Sequence, residues 1–166
     1  MGQKRRFMNT KEIQKKIEDW TYIQNLGFDV LKSLSDNQLG LTVGKNMGTL
    51  GEQFRHMCKI RFQYAEAIEN KVLGKTIEKI DLNVAKSKEL LVDLWQRANG
   101  RLLKALGGVD SDDLEIDWQY WHVNTVNIHD HLNYLMDHET LHNGQIIVYL
   151  RTHELSFPES WADWGL

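Results

Sequence analysis

His138 and His142 stand four residues apart, with Glu139 between them, in the run His138-Glu139-Thr140-Leu141-His142. On a helix this spacing projects two side chains from one face, a turn apart, close enough for their imidazoles to share a metal ion. The literal pattern is that of zinc hydrolases in which the glutamate is the general base. Two imidazoles do not complete a site, so a third ligand must come from elsewhere. The other histidines are His56, His122, His129, His131 and His153.

The elements that must position these groups read as helices. The only proline of the 166 residues is Pro158, and a chain without internal proline is free to form long helices. A first helix is predicted from Asn9 or Thr10, with Ile13, Ile17, Trp20, Ile23, Leu31 and Leu34 as its apolar stripe. Gly27 inside it costs helix propensity unless a neighbour approaches closely there. The glycine-spaced stretch 35–48 reads as a long connection, one that can cross the end of a bundle. Thr49-Leu50-Gly51-Glu52 has the form of a capping box and opens a second helix, whose face is Leu50, Phe54, Met57, Tyr64 and Ile68. His56 lies on the border of that face and reads either as a half-buried core histidine or as the missing ligand.

A third helix is predicted over Val84–Leu106, capped by Asn83 and ended by Gly107-Gly108, with Leu91, Leu94, Trp95, Ala98, Leu102 and Leu106 inward. After a polar turn at Asp110, Asp112 and Asp113, Leu114–Trp118 alternates with period two and suggests extended chain, or a small hairpin with Tyr120–Val126. A fourth helix over Val126–Thr152 carries His131, Leu135, His138, His142, Gln145 and Tyr149 at intervals of three and four. Polar groups in the middle of an inward face are costly unless paired, and a metal ion satisfies two imidazoles at once. The tail from Leu155, with Trp161 and Trp164, is expected to dock back onto the helices or to join an oligomer interface. The predicted fold class is therefore all-α: a four-helix bundle with a long connection between helices one and two and a short irregular or hairpin segment before helix four.

Composition narrows the function. A length of 166 residues with 42% apolar content suits one domain spanning 1–166. The formal charge of -3 is interspersed, which argues against nucleic acid as a partner; Lys4-Arg5-Arg6 is too short a cluster to reverse that reading. No apolar run suits a membrane span or a signal segment, and Arg6 stands where a myristoylation pattern wants Ser or Thr. The lone Cys58 excludes an internal disulfide, and together these features lead us to expect a cytoplasmic protein.

Three segments resemble the DinB/YfiT-like superfamily of metal-binding four-helix bundles, which includes bacillithiol-dependent and related thiol S-transferases. They are Thr49-Leu50-Gly51-Glu52-Gln53-Phe54-Arg55-His56-Met57, His138-Glu139-Thr140-Leu141-His142-Asn143-Gly144-Gln145-Ile146, and Phe157-Pro158-Glu159-Ser160-Trp161. Their order and spacing agree with the family over nearly the whole chain. The resemblance implies an up-up-down-down helix order, a homodimer, and one divalent ion, Zn²⁺ or Ni²⁺, held by His56, His138 and His142. It further implies a small-molecule substrate and a low-molecular-weight thiol such as bacillithiol, kept deprotonated to attack an electrophile; a related metal-dependent hydrolase is the other enzymatic reading.

Around such a site Glu139 is the candidate catalytic residue: it has three possible roles, orienting His142, accepting a proton or facing solvent. Gln145 and Glu52 are candidates to support the ligands from behind, and His131 to line the pocket. Cys58, two positions from His56, should point away from the site, as should His129; His122 and His153 read as surface or loop residues. Two other classes compete with the transferase. One is a bundle that binds metal or a small molecule without turnover. The other is a zincin-type metalloprotease, for which only His153, Glu154 and Glu159 remain downstream as a third ligand.

Overall fold

The computed structural model describes residues 11–74, 78–109, 114–118 and 125–166. It is mostly helical. Helix α1 spans Lys11–Ser33, the single turn α2 Asp36–Leu39, α3 Leu50–Asn70, α4 Lys88–Gly107 and α5 Ile128–Thr152. Strands β1 (Val72–Leu73), β2 (Glu115–Trp118) and β3 (Thr125–Asn127) form one small sheet, and 3-10 turns occupy Leu82–Lys86 and Glu159–Trp164. The expected cap at Asn9 or Thr10, the cluster Lys4-Arg5-Arg6, the turn at Asp110, Asp112 and Asp113, and His122 lie outside the described residues. No described helix is long and apolar enough to cross a membrane.

The long helices pack in a ring: α3 lies against α4 and α5, and α1 against α5 and α4. Their inward stripes fill two apolar clusters. One gathers Phe54, Met57, Trp95, Ile146 and Trp161; the other gathers Trp20, Tyr64, Leu102, Trp118 and Leu132. Gly27 and Gly51 sit where neighbouring elements approach closely. A Cβ on Gly27 would sit 3.0 Å from Asn143 Oδ1 and 3.2 Å from the Trp95 ring. One on Gly51 would fall 1.9 Å from the Ala85 carbonyl oxygen, so only glycine lets the start of α3 lie against the Leu82–Lys86 turn.

Helix α3 begins as its sequence predicts: Thr49 Oγ1 accepts the Glu52 N–H at 3.2 Å while Glu52 Oε2 accepts the Thr49 N–H at 2.7 Å. The helix predicted from Val84 begins later. Asp81 caps a separate 3-10 turn over Leu82–Lys86, and Ser87, in extended conformation, caps α4 by accepting the Leu90 N–H. A hydroxyl at an extended residue satisfies an orphan amide that a continuous helix through Ser87 would bury in its own ladder, so Ser87 rather than Asn83 is the start. Val126, expected on the last helix, belongs to β3, and Asn127 caps α5 by accepting the Asp130 N–H at 2.9 Å.

The alternating segment does form a strand, with Ile116 and Trp118 buried and Glu115 and Asp117 exposed. It pairs antiparallel with β3, in the register Ile116 to Val126, and also parallel with β1 directly after α3, a partner the alternation alone does not reveal. The connection 35–48 is tied to the end of α5. Tyr149 Oη lies 3.0 Å from the carbonyls of Met47 and Gly48, and His153 Nε2 lies 2.9 Å from the Thr42 carbonyl. The tail docks: Trp161 is buried and donates its indole N–H to the Leu26 carbonyl at 3.0 Å, whereas Trp164 stays exposed and donates to Tyr22 Oη.

Candidate metal centre

His138 and His142 leave α5 one turn apart, and His56 faces them from α3. The Nε2 atoms of His56 and His138 are 3.2 Å apart, and those of His138 and His142 are 3.1 Å apart. One nitrogen from each ring lies within 4.8 Å of the other two, forming a three-histidine group that can hold a metal ion. Two ligands about 2.0 Å from a tetrahedral ion are about 3.3 Å apart, so the observed edges fit a zinc-sized site. Three nitrogens meeting at this distance without a shared proton for each pair are poorly satisfied by one another, and a cation would supply the missing partner.

The electrostatics suit ligation as well. Burial pushes the His56 pKa down to about 4, reinforced by the charges of His142, Lys59 and Arg55. Burial likewise pushes His138 down to about 3, with His142, His56 and Arg61 acting in the same direction. His142 is lowered chiefly by burial, against the upward pull of the Glu139 charge and the Gln145 amide. At neutral pH all three are therefore neutral imidazoles, the form that binds metal.

Gln53, one turn before His56, orients the third imidazole. Its amide nitrogen donates to the Met47 carbonyl, which turns Oε1 toward His142 Nδ1 at 3.1 Å. An amide oxygen only accepts, so His142 carries its proton on Nδ1 and presents the Nε2 lone pair to the other two rings. His138 Nδ1 is buried and has no partner among the described residues.

Glu139 turns the other way. Its fully buried carboxylate accepts Arg61 Nε–H at 2.6 Å and Nη2–H at 2.7 Å in a bidentate pair. Arg61 Nη1 donates to Asn99 Oδ1 at 2.9 Å, and the guanidinium stacks 3.6 Å from the centre of the Trp95 ring. Gln24 Oε1 then accepts from both Asn99 Nδ2 and Trp95 Nε1, at 2.7 and 2.9 Å.

The remaining candidates separate. Glu52 is exposed and its carboxylate is engaged in the α3 cap. Gln145 lies beside His142, with its Oε1 buried. His131 is fully buried away from the three-histidine group; its Nδ1 accepts from Trp118 Nε1 at 3.2 Å, its Nε2 lies 3.3 Å from the Tyr64 carbonyl, and its ring stacks on Tyr64. That is a satisfied core histidine. Cys58 is buried, and burial drives its thiol up to about 12, so it is no nucleophile. His153 follows α5 as its cap and meets the Thr42 carbonyl, and it is not part of the three-histidine group.

Two residues of the site escape a reading of the sequence alone. Gln53 had a signal, three positions before His56 on the same face of a helix. Arg61 had one too, since it falls on the buried stripe with Phe54, Ala65 and Ile68, where a lone cation must find a carboxylate.

Three neutral nitrogen donors leave a divalent ion its full charge and a free coordination position, as in catalytic rather than closed structural sites. A sequence model described as the DinB family matches residues 8–153. No curated protein matches the chain.

Proposed function

The chain belongs to the DinB family, and from that premise we propose that His56, His138 and His142 bind one divalent metal ion, Zn²⁺ or Ni²⁺, in a centre that transfers a low-molecular-weight thiol to an electrophile. The observation that carries this reading is the meeting of three neutral imidazole Nε2 atoms, 3.1 and 3.2 Å apart, from two different helices. When bound, the ion supplies the positive charge that keeps a thiol, or in a hydrolase a water, deprotonated near neutral pH. The protein's part is positional. His56, His138 and His142 offer the lone pairs, Gln53 fixes the tautomer and tilt of His142, and Gln145 stands behind the same ring.

In this reading Glu139 is not a base. Its two oxygens are occupied by Arg61 in the protein interior, and a carboxylate so paired is turned away from the three imidazoles and out of reach of a proton at the centre. The same fact, with the third imidazole coming from α3 rather than the tail, removes the support for a zincin-type protease. The reading also takes residues 1–166 as one four-helix bundle in up-up-down-down order, consistent with the ring of helix contacts. It takes the assembly as a homodimer, for which Tyr134, Leu141 and Val148, exposed at seven-residue spacing on α5, offer an apolar face.

The test is direct. Protein purified without chelator is expected to contain one equivalent of Zn²⁺ or Ni²⁺, and the loaded protein to conjugate monochlorobimane with at least one thiol in a panel of low-molecular-weight thiols. Metal without conjugation would favour a binding bundle without turnover. Stoichiometric metal retained by His56→Ala would overturn the centre.

A further inference from the structure

Helices α3 and α5 are joined twice, side by side. His56 and Arg61 both leave α3, while the consecutive residues His138 and Glu139 leave α5. One junction is the meeting of imidazoles, with Nε2 atoms 3.2 Å apart. The other is the bidentate fork, at 2.6 and 2.7 Å, between side chains that are both 0% exposed. Arg61 is further gripped by Asn99 and Trp95 of α4, and these by Gln24 of α1, so one polar path touches all four long helices.

A buried ion pair of this kind gains little over apolar side chains of equal volume, because desolvating both charges offsets their attraction. What it does impose is geometry. Apolar faces tolerate small slides and rotations, but a planar guanidinium matched to a carboxylate does not, and a slip would strand two buried charges. A metal centre demands the same intolerance, since its donors must be held to within about 0.5 Å.

We infer that the Arg61–Glu139 pair is a register clamp: it fixes α3 against α5 so that His56 meets His138 and His142. Arg61 and Glu139 are positioning residues, touching neither ion nor substrate. The role rests on the metal-centre reading only where metal is the readout.

The experiment replaces both partners at once, R61M/E139L, which removes the fork without leaving an unpaired charge. Leu106→Ala, in the other apolar cluster, serves as a control that lowers stability without touching the pair. Three quantities are read on folded protein: Zn²⁺ affinity by chelator competition, the Co²⁺ absorption spectrum, and Overhauser contacts between the His56 and His138 rings in metal-free protein. The expected result for the double variant is a loss of affinity of about tenfold or more, a changed Co²⁺ spectrum and lost ring contacts. L106A, although less stable, is expected to keep all three. Wild-type affinity and ring contacts in the double variant would overturn the clamp, as would equal losses in L106A. Should the double variant fail to fold, Glu139→Gln, which keeps the volume and one acceptor, is judged by the same criteria. If the wild-type protein itself binds no metal, the centre falls, and the ring contacts alone decide the clamp.

Discussion

Gln53 Oε1 meets His142 Nδ1 at 3.1 Å, so the helix that supplies His56 also sets the orientation of an imidazole on α5. Partners behind metal-ligating histidines fix the tautomer and raise the basicity of the ring, and their loss weakens metal binding 10- to 100-fold by general experience. Gln53→Ala is therefore expected to lower Zn²⁺ affinity by about tenfold or more. Its thermal midpoint without metal should change little, because Gln53 is only partly buried. Chelator competition together with a metal-free melt checks both halves.

The proposed ligand set predicts a sharp contrast among the histidines. His56→Ala, His138→Ala and His142→Ala are each expected to remove metal from the purified protein, while His131→Phe and His153→Ala retain it. Elemental analysis of the five variants decides this, and metal loss in H153A would return the third ligand to the tail.

Acid should destabilise the metal-free protein through His131. Burial holds its pKa down to about 4, against 6.5 for an ordinary histidine. Above pH 6.5 both folded and unfolded forms are neutral and the full stability is present. As pH falls from 6.5 toward 4 the unfolded chain takes up a proton that the folded protein refuses, so stability is lost across that window. The loss saturates at about 3 kcal/mol for this one group. Urea unfolding at a series of pH values, after chelator treatment, should show a shallower slope in His131→Phe; His56, His138 and His142, also held low, contribute to what slope remains.

Two glycines should respond in opposite directions. A Cβ on Gly51 would overlap the Ala85 carbonyl at 1.9 Å, and backbone cannot yield as a side-chain tip does, so Gly51→Ala is expected to cost about 3 kcal/mol or more. Gly144 sits inside α5 with nothing within 4 Å of the position, so Gly144→Ala should stabilise by about 0.5–1 kcal/mol. Denaturant unfolding of the two variants measures the contrast.

Much of this architecture is readable in the chain because its causes are local. The capping box at Thr49 and Glu52, the stripes of α1, α3 and α4, and the one-turn spacing of His138 and His142 all follow from residues within a turn or two of each other. The start of α4 is not readable in the same way: Asn83 and Ser87 are both residue types that cap helices, and the separate turn over Leu82–Lys86, packed against Gly51, leaves Ser87 as the cap. Strand β1 is another case, since Val72–Leu73 has no alternation of its own and becomes a strand by lying beside β2.

The site divides along the same line. Its residue types and the pairing of two imidazoles were written in the helical period of one segment. That His56 completes the group, that Gln53 orients it, and that Glu139 faces Arg61 rather than a substrate were decided by the packing of α3 on α5. His56 and His138 are 82 positions apart and Arg61 and Glu139 are 78 apart, distances over which no periodicity survives. A helix has two sides, and the sequence placed Glu139 next to His138 without saying which neighbour each side would meet; the buried guanidinium on the adjoining helix is what it meets inside.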